Sequence, residues 1–121
     1  MKEILAIIRI DMINQTKEAL LTRGISCFNC RKVMGRGKKK LSFTVVDNKV
    51  PLKAAEALSE KYRLIPKRML SIIVKDSDAQ RAVDTVLEVN RKGCPGDGKI
   101  FVLPVEEVIK VSSGERRGAA V

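Results

Sequence analysis

Three short stretches of this 121-residue sequence carry residue types whose spacing could do chemistry. The first is Gly93-Cys94-Pro95-Gly96-Asp97-Gly98-Lys99. Glycines let a backbone approach a ligand closely, so amide N–H groups can point at phosphate oxygens, and Lys99 adds a mobile positive charge. Gly93 to Lys99 fits the first part of the pattern G-x-x-x-x-G-K, but the next residue is Ile100 rather than Ser or Thr, so the usual Mg²⁺ ligand is missing. The stretch also precedes a strand pattern instead of opening a helix, so it is not a P-loop. A tight turn with glycines at positive φ would use the same residues.

The second stretch is Gly35-Arg36-Gly37-Lys38-Lys39-Lys40, in a region where six of the ten residues from Arg31 to Lys40 are basic. Two glycines beside such charge can cradle an anion, while a solvated charge run at a loop edge would read the same way. The third is Cys27-Phe28-Asn29-Cys30. A redox C-x-x-C opens a helix, whose dipole lowers a thiol pKa, but this pair falls in a strand pattern, where an offset of three sends side chains to opposite faces. Two thiolates without histidine make a poor zinc site, so buried structural cysteines are expected here, and a more exposed Cys94 without a neighbouring base.

Composition narrows the chemistry further. The chain has 24 Lys plus Arg, 14 Asp plus Glu and no histidine, a formal net charge of +10. Ser-His-Asp and Cys-His catalysis are thereby excluded within one chain, as are histidine zinc sites. The charge calls for phosphates, nucleotides or acidic proteins. Only Phe28, Phe43, Tyr62 and Phe101 are aromatic, so base stacking is poorly supplied. Three cysteines do not make a secreted disulfide framework. No apolar run reaches the ~18 residues that span a bilayer, and no signal peptide is evident, so a cytoplasmic protein is the default. Length allows one domain, residues 1–121.

The elements that must position these stretches follow from periodicity. Ile4–Ile8 reads as a central strand covered on both faces. Met12 to Arg23 reads as a helix closed by Gly24. Ile25 to Met34 and Arg68 to Val74 read as strands. Ala79, Ala82, Val83, Val86 and Leu87 form the best amphipathic helix, with Asp76 or Ser77 as its cap. Ile100–Leu103 is a strand stopped by Pro104, and Val108–Val111 reads as a short extra one. The order β-α-β-β-α-β gives an α+β, ferredoxin-like plan: two helices on one face of a four-stranded antiparallel sheet. Residues 36–65 form an insertion far longer than a hairpin needs. Its second half, Pro51 to Tyr62, has helix composition and is expected to be a mobile arm that becomes helical against a partner.

On that frame the residues resemble a known family, the PII (GlnB-like) signal-transduction proteins of nitrogen metabolism. The resemblance rests on Ala6-Ile7-Ile8-Arg9, Lys17-Glu18-Ala19-Leu20, Val33-Met34-Gly35-Arg36-Gly37-Lys38, Gly96-Asp97-Gly98-Lys99-Ile100-Phe101-Val102-Leu103-Pro104-Val105-Glu106 and Ser113-Gly114-Glu115. Arg9-Ile10-Asp11-Met12 and Ile65-Pro66-Lys67-Arg68-Met69 look most like the nitrogenase-associated subgroup, the second of its paired regulators. The resemblance implies a homotrimer, or a hetero-oligomer with a sister PII-like subunit. It implies clefts between subunits for ATP, ADP or AMP, with 2-oxoglutarate as effector. The insertion would be the T-loop, the arm that engages nitrogenase or another nitrogen-metabolism protein. The nucleotide would meet Ile7, Gly35, Gly37, Lys38, Ile73, Gly96, Asp97, Gly98, Lys99 and Lys110, and 2-oxoglutarate would meet Lys39 and Lys67.

The sequence departs from the family pattern at informative places. Lys39 stands where the family carries a Gln that helps hold Mg²⁺ and 2-oxoglutarate. A cation there repels Mg²⁺, and could contact phosphate or the effector's carboxylates directly. Ser112 stands where an arginine is common. Tyr62 lies near the end of the arm, away from the position modified in relatives, so uridylylation is not carried over. The reading implied is a sensor without catalytic residues, metal site, nucleic-acid partner or membrane span. Its alternative is an RNA-binding module, since RRM domains share the plan and the chain is basic. Lys38, Lys39, Lys67, Lys99 and Lys110 would converge on the clefts, whereas Lys40, Lys49, Lys53 and Lys61 would decorate the arm and favour an acidic protein surface.

Overall fold

A computed structural model describes residues 1–36 and 64–116. The elements are β1 (Lys2–Ile8), a 3-10 turn (Ile10–Met12), α1 (Ile13–Thr22), β2 (Phe28–Gly35), β3 (Ile65–Val74), α2 (Asp76–Asn90) and β4 (Gly98–Pro104). The strands form one antiparallel sheet in the order β2-β3-β1-β4. This is the ferredoxin-like plan that the β-α-β-β-α-β pattern implies. The expected helix of residues 51–62 and the positions Gly37, Lys38 and Lys39 lie outside the described residues.

Pleating sorts each strand into two faces. Ile4, Ala6 and Ile8 of β1 and Leu70, Ile72 and Val74 of β3 point to the helices and are buried with Leu20, Ala82 and Val86. Burying each Ile, Leu or Val side chain among them contributes about 1.5–3 kcal/mol. The helices are also bolted together by polar groups. Thr16 Oγ1 donates to the Met12 carbonyl and accepts from Asn90 Nδ2 at 3.0 Å. Arg23 donates to Thr85 Oγ1 and pairs with Glu88, which ties the end of α1 to α2. No helix among the described residues is long and apolar enough to cross a membrane.

Several expectations are corrected. β1 is central, but among the described residues only one of its faces is covered: Glu3, Leu5 and Ile7 face away from the helices and are half-buried. The first helix begins at Ile13, because Ile10–Met12 forms a separate 3-10 turn. The second has Lys75 at its N-cap without a side-chain cap, since Asp76 pairs with the Met1 ammonium at 2.9 Å instead. Val108–Val111 is not a strand; one bridge, Ile109 to Arg116, closes a turn there. Cys27 precedes β2 rather than lying in it, and Cys27 and Cys30 are exposed, as is Cys94. The physical reason is position: β2 is an edge strand, and most of its side chains meet solvent.

Candidate functional site

The site is built where β1 ends and β4 begins. Ile7 pairs with Lys99 and Ile8 with Gly98, so the glycine loop rests directly on the end of β1. Gly98 has φ +121°, and a Cβ there would stand 2.0 Å from the Ile7 carbonyl oxygen. No other residue fits that contact. Gly93 and Gly96 also have positive φ, at 74° and 92°. These three glycines curl the backbone between α2 and β4.

Asp97 organises the loop from within. One carboxylate oxygen accepts the N–H groups of Lys92 at 2.8 Å and Cys94 at 3.2 Å. The other accepts Arg9 at 3.1 Å. The Lys92 N–H, then the Cys94 N–H and the Arg9 charge, hold this carboxyl below the ordinary range, against a burial that pushes the other way. The carboxylate is therefore turned onto its own loop, and Lys99, exposed and without an ion pair among the described residues, is the side chain the loop presents. Arg9 also donates to the Pro95 carbonyl at 3.1 Å, and Lys67 Nζ donates to the next carbonyl, Gly96, at 2.7 Å.

A cleft of about 450 Å³ runs along the helix side of this loop, lined by Ile8, Val83, Leu87 and Ile100, with Arg91 and Lys99 also in its wall. Apolar walls are the usual character of a small-molecule site, although Lys99, paired with Ile7, lies by register on the other face of the sheet.

The expected site residues divide into three groups. Ile7, Gly96, Asp97, Gly98, Lys99 and Lys67 come together at the loop. Gly35 lies at the end of β2, opposite Ile65, where the insertion leaves and re-enters the sheet. Ile73 and Lys110 are elsewhere. Ile73 faces Glu3, four residues along β3 from Met69, the partner of Ile7, a separation of about 13 Å. Lys110 sits in the turn closed by its own N–H to Glu115 and by Gly114 N–H to its carbonyl. Arg9 was legible only as part of a motif; its contact with Asp97 spans 88 positions, beyond any local window.

The sheet does not offer the stacking platform of an RNA-binding strand pair. Phe101 faces away from the helices, whereas Phe28 faces them and packs on the core.

Comparison with known proteins agrees with this geometry. The family model described as nitrogen regulatory protein P-II matches residues 1–115. The chain is 43% identical over 115 residues to a nitrogen fixation nifHD region GlnB-like protein 2 of Methanobacterium ivanovii, covering 95% of this chain and 94% of that one. It is 44% identical over 126 residues to the protein of the same name in Methanococcus maripaludis, covering all of both. Among solved structures, that of Arabidopsis thaliana PII bound to citrate superimposes with a TM-score of 0.74 at 31% identity, covering 98% of this chain and 87% of that chain. The chain belongs to the nitrogen regulatory protein P-II family, and its resemblance to the nitrogen-fixation group of GlnB-like proteins is of the same kind.

Proposed function

We propose that the protein is a non-enzymatic sensor that binds an adenine nucleotide, with 2-oxoglutarate as effector, in clefts between subunits, and controls a target through the insertion between β2 and β3. The observation that carries this reading is the exposed Lys99 beside a glycine loop whose own carboxylate is already occupied by backbone amides and Arg9. Such a loop offers N–H groups and a free ammonium to phosphate oxygens.

The distribution of the remaining residues supports a site shared between copies. One subunit supplies Ile7 and the loop, and a neighbour in a trimer supplies Ile73 and Lys110, which a single chain holds apart. Gly35, Gly37, Lys38 and Lys39 border the start of the insertion, so a ligand there contacts the base of the arm. Linkage then follows: a ligand that binds two arm arrangements differently shifts their balance, and a target that reads the arm is controlled. Nitrogenase is the target suggested by the nitrogen-fixation names of the relatives.

Calorimetry with ATP tests the assignment. Lys99→Ala should weaken binding by about tenfold to a hundredfold, the worth of a charge-assisted hydrogen bond; unchanged affinity would remove Lys99 from the site. For 2-oxoglutarate, Lys39 in place of the family's Gln predicts binding in the presence of ATP that survives chelation of Mg²⁺. An effector that binds only with Mg²⁺ present would sink that part of the reading.

A further inference from the structure

We infer that Arg9 is a positioning residue of the glycine loop: it orients the Gly96 amide toward a phosphate without touching the phosphate itself. The inference rests on the nucleotide reading above and deepens it.

Arg9 follows directly on β1, at the point where β1 supports the loop. One of its terminal nitrogens donates to both the Pro95 carbonyl and the Asp97 carboxylate, each at 3.1 Å. Lys67, from β3, holds the Gly96 carbonyl at 2.7 Å. Two successive carbonyls of the loop are thus drawn to cations on the sheet. In a trans peptide the C=O and N–H of one plane point opposite ways. Holding the Pro95 carbonyl toward Arg9 therefore turns the Gly96 N–H away from Arg9. Among the described residues that N–H meets no acceptor.

Asp97 makes the arrangement cooperative. The carboxylate that Arg9 holds also gathers the N–H groups of Lys92 and Cys94. Removing the guanidinium frees the Pro95 carbonyl and loosens the acceptor that closes the turn. Glycines at 93 and 96, both at positive φ, lack a Cβ to limit the backbone once released. Preorganised amides bind an anion more tightly than amides that must be ordered on binding.

The test compares ATP with adenosine, which lacks phosphates. Arg9→Gln should weaken ATP by about tenfold or more, as expected for a loss near 1.4 kcal/mol, while adenosine affinity stays unchanged. Arg9→Lys should restore part of the loss, because an ammonium can still reach one of the two acceptors. In the ligand-free protein, Arg9→Gln should shift the Gly96 and Cys94 amide signals in NMR and leave those of α1 in place. Equal weakening of ATP and adenosine, or no change in their ratio with the loop amides unmoved, overturns the inference. If the unaltered protein binds no ATP, the nucleotide reading falls first and takes this role with it. If it binds ATP and Arg9→Gln binds equally well, only this role falls.

Discussion

Asp97 shows how one side chain converts a flexible glycine segment into a shaped one. Its carboxyl is depressed in the folded protein, first by the Lys92 N–H and then by the Cys94 N–H and Arg9. A group of this kind stabilises the fold above its ordinary pKa, and that contribution is lost as pH falls through the depressed value. The Cys94 amide signal should therefore hold steady from neutrality to mild acid and move only below about pH 4. In Asp97→Asn that acid-side transition should vanish; a transition unchanged in the variant would assign it to another group. Gly98 sets the second residue-scale expectation. Gly98→Ala places a methyl 2.0 Å from the Ile7 carbonyl, so β4 must move off β1. The loss should be about 2 kcal/mol or more, since strained φ and overpacking each cost on the order of 1–3 kcal/mol, read as a lower denaturant midpoint. The Gly-Asp-Gly-Lys run was legible as a tight turn because glycine spacing is local, and its reading as a phosphate loop came from the family resemblance. What Asp97 does was not legible, because its partner Arg9 is brought to it by strand pairing.

At the scale of elements, α1 ends as the sequence suggests. Gly24 has φ +81°, its N–H reaches the Leu21 carbonyl, and the Ile25 N–H reaches that of Leu20. This is a Schellman closure, in which glycine is favoured because a Cβ is penalised at that φ. Gly24→Ala should cost about 1 kcal/mol in urea unfolding, without touching ligand binding, since a Cβ added there would meet no other atom within 4 Å. A loss of ATP affinity in this variant would contradict the separation of helix closure from the site. Helix and strand existence could be read from apolar spacing. Caps and exposure could not: Asp76 resembles a cap but is taken by the Met1 ammonium, and Cys30 lies in a strand whose edge position only the sheet order reveals.

Among the described residues, one face of the sheet is left uncovered by the helices. Leu5, Ile7, Met69, Ile73, Phe101 and Leu103 lie there by register, with Phe101 47% exposed. An apolar face of this character suits contact with further copies of the chain, as the trimer proposed above requires. Phe101→Glu should lower the mass seen in sedimentation toward that of one 13.4 kDa chain while the circular dichroism of the fold persists. An unchanged assembly would place the contacts elsewhere. The sequence spoke for this arrangement only through its resemblance to a family. β1 read as buried on both sides because Ile4–Ile8 is a continuous apolar run, and such a run does not say what meets the face turned from the helices.

The register of β2 with β3 has a further consequence. Gly35 stands opposite Ile65, and Val33 opposite Lys67, so the two ends of the insertion are clamped side by side whatever lies between them. The entropy of closing a segment grows only slowly with its length, about 0.6 kcal/mol for each doubling. The arm is consequently an interchangeable part. If the insertion engages a target as proposed, its sequence and length can change without disturbing the sheet, the helices or the glycine loop.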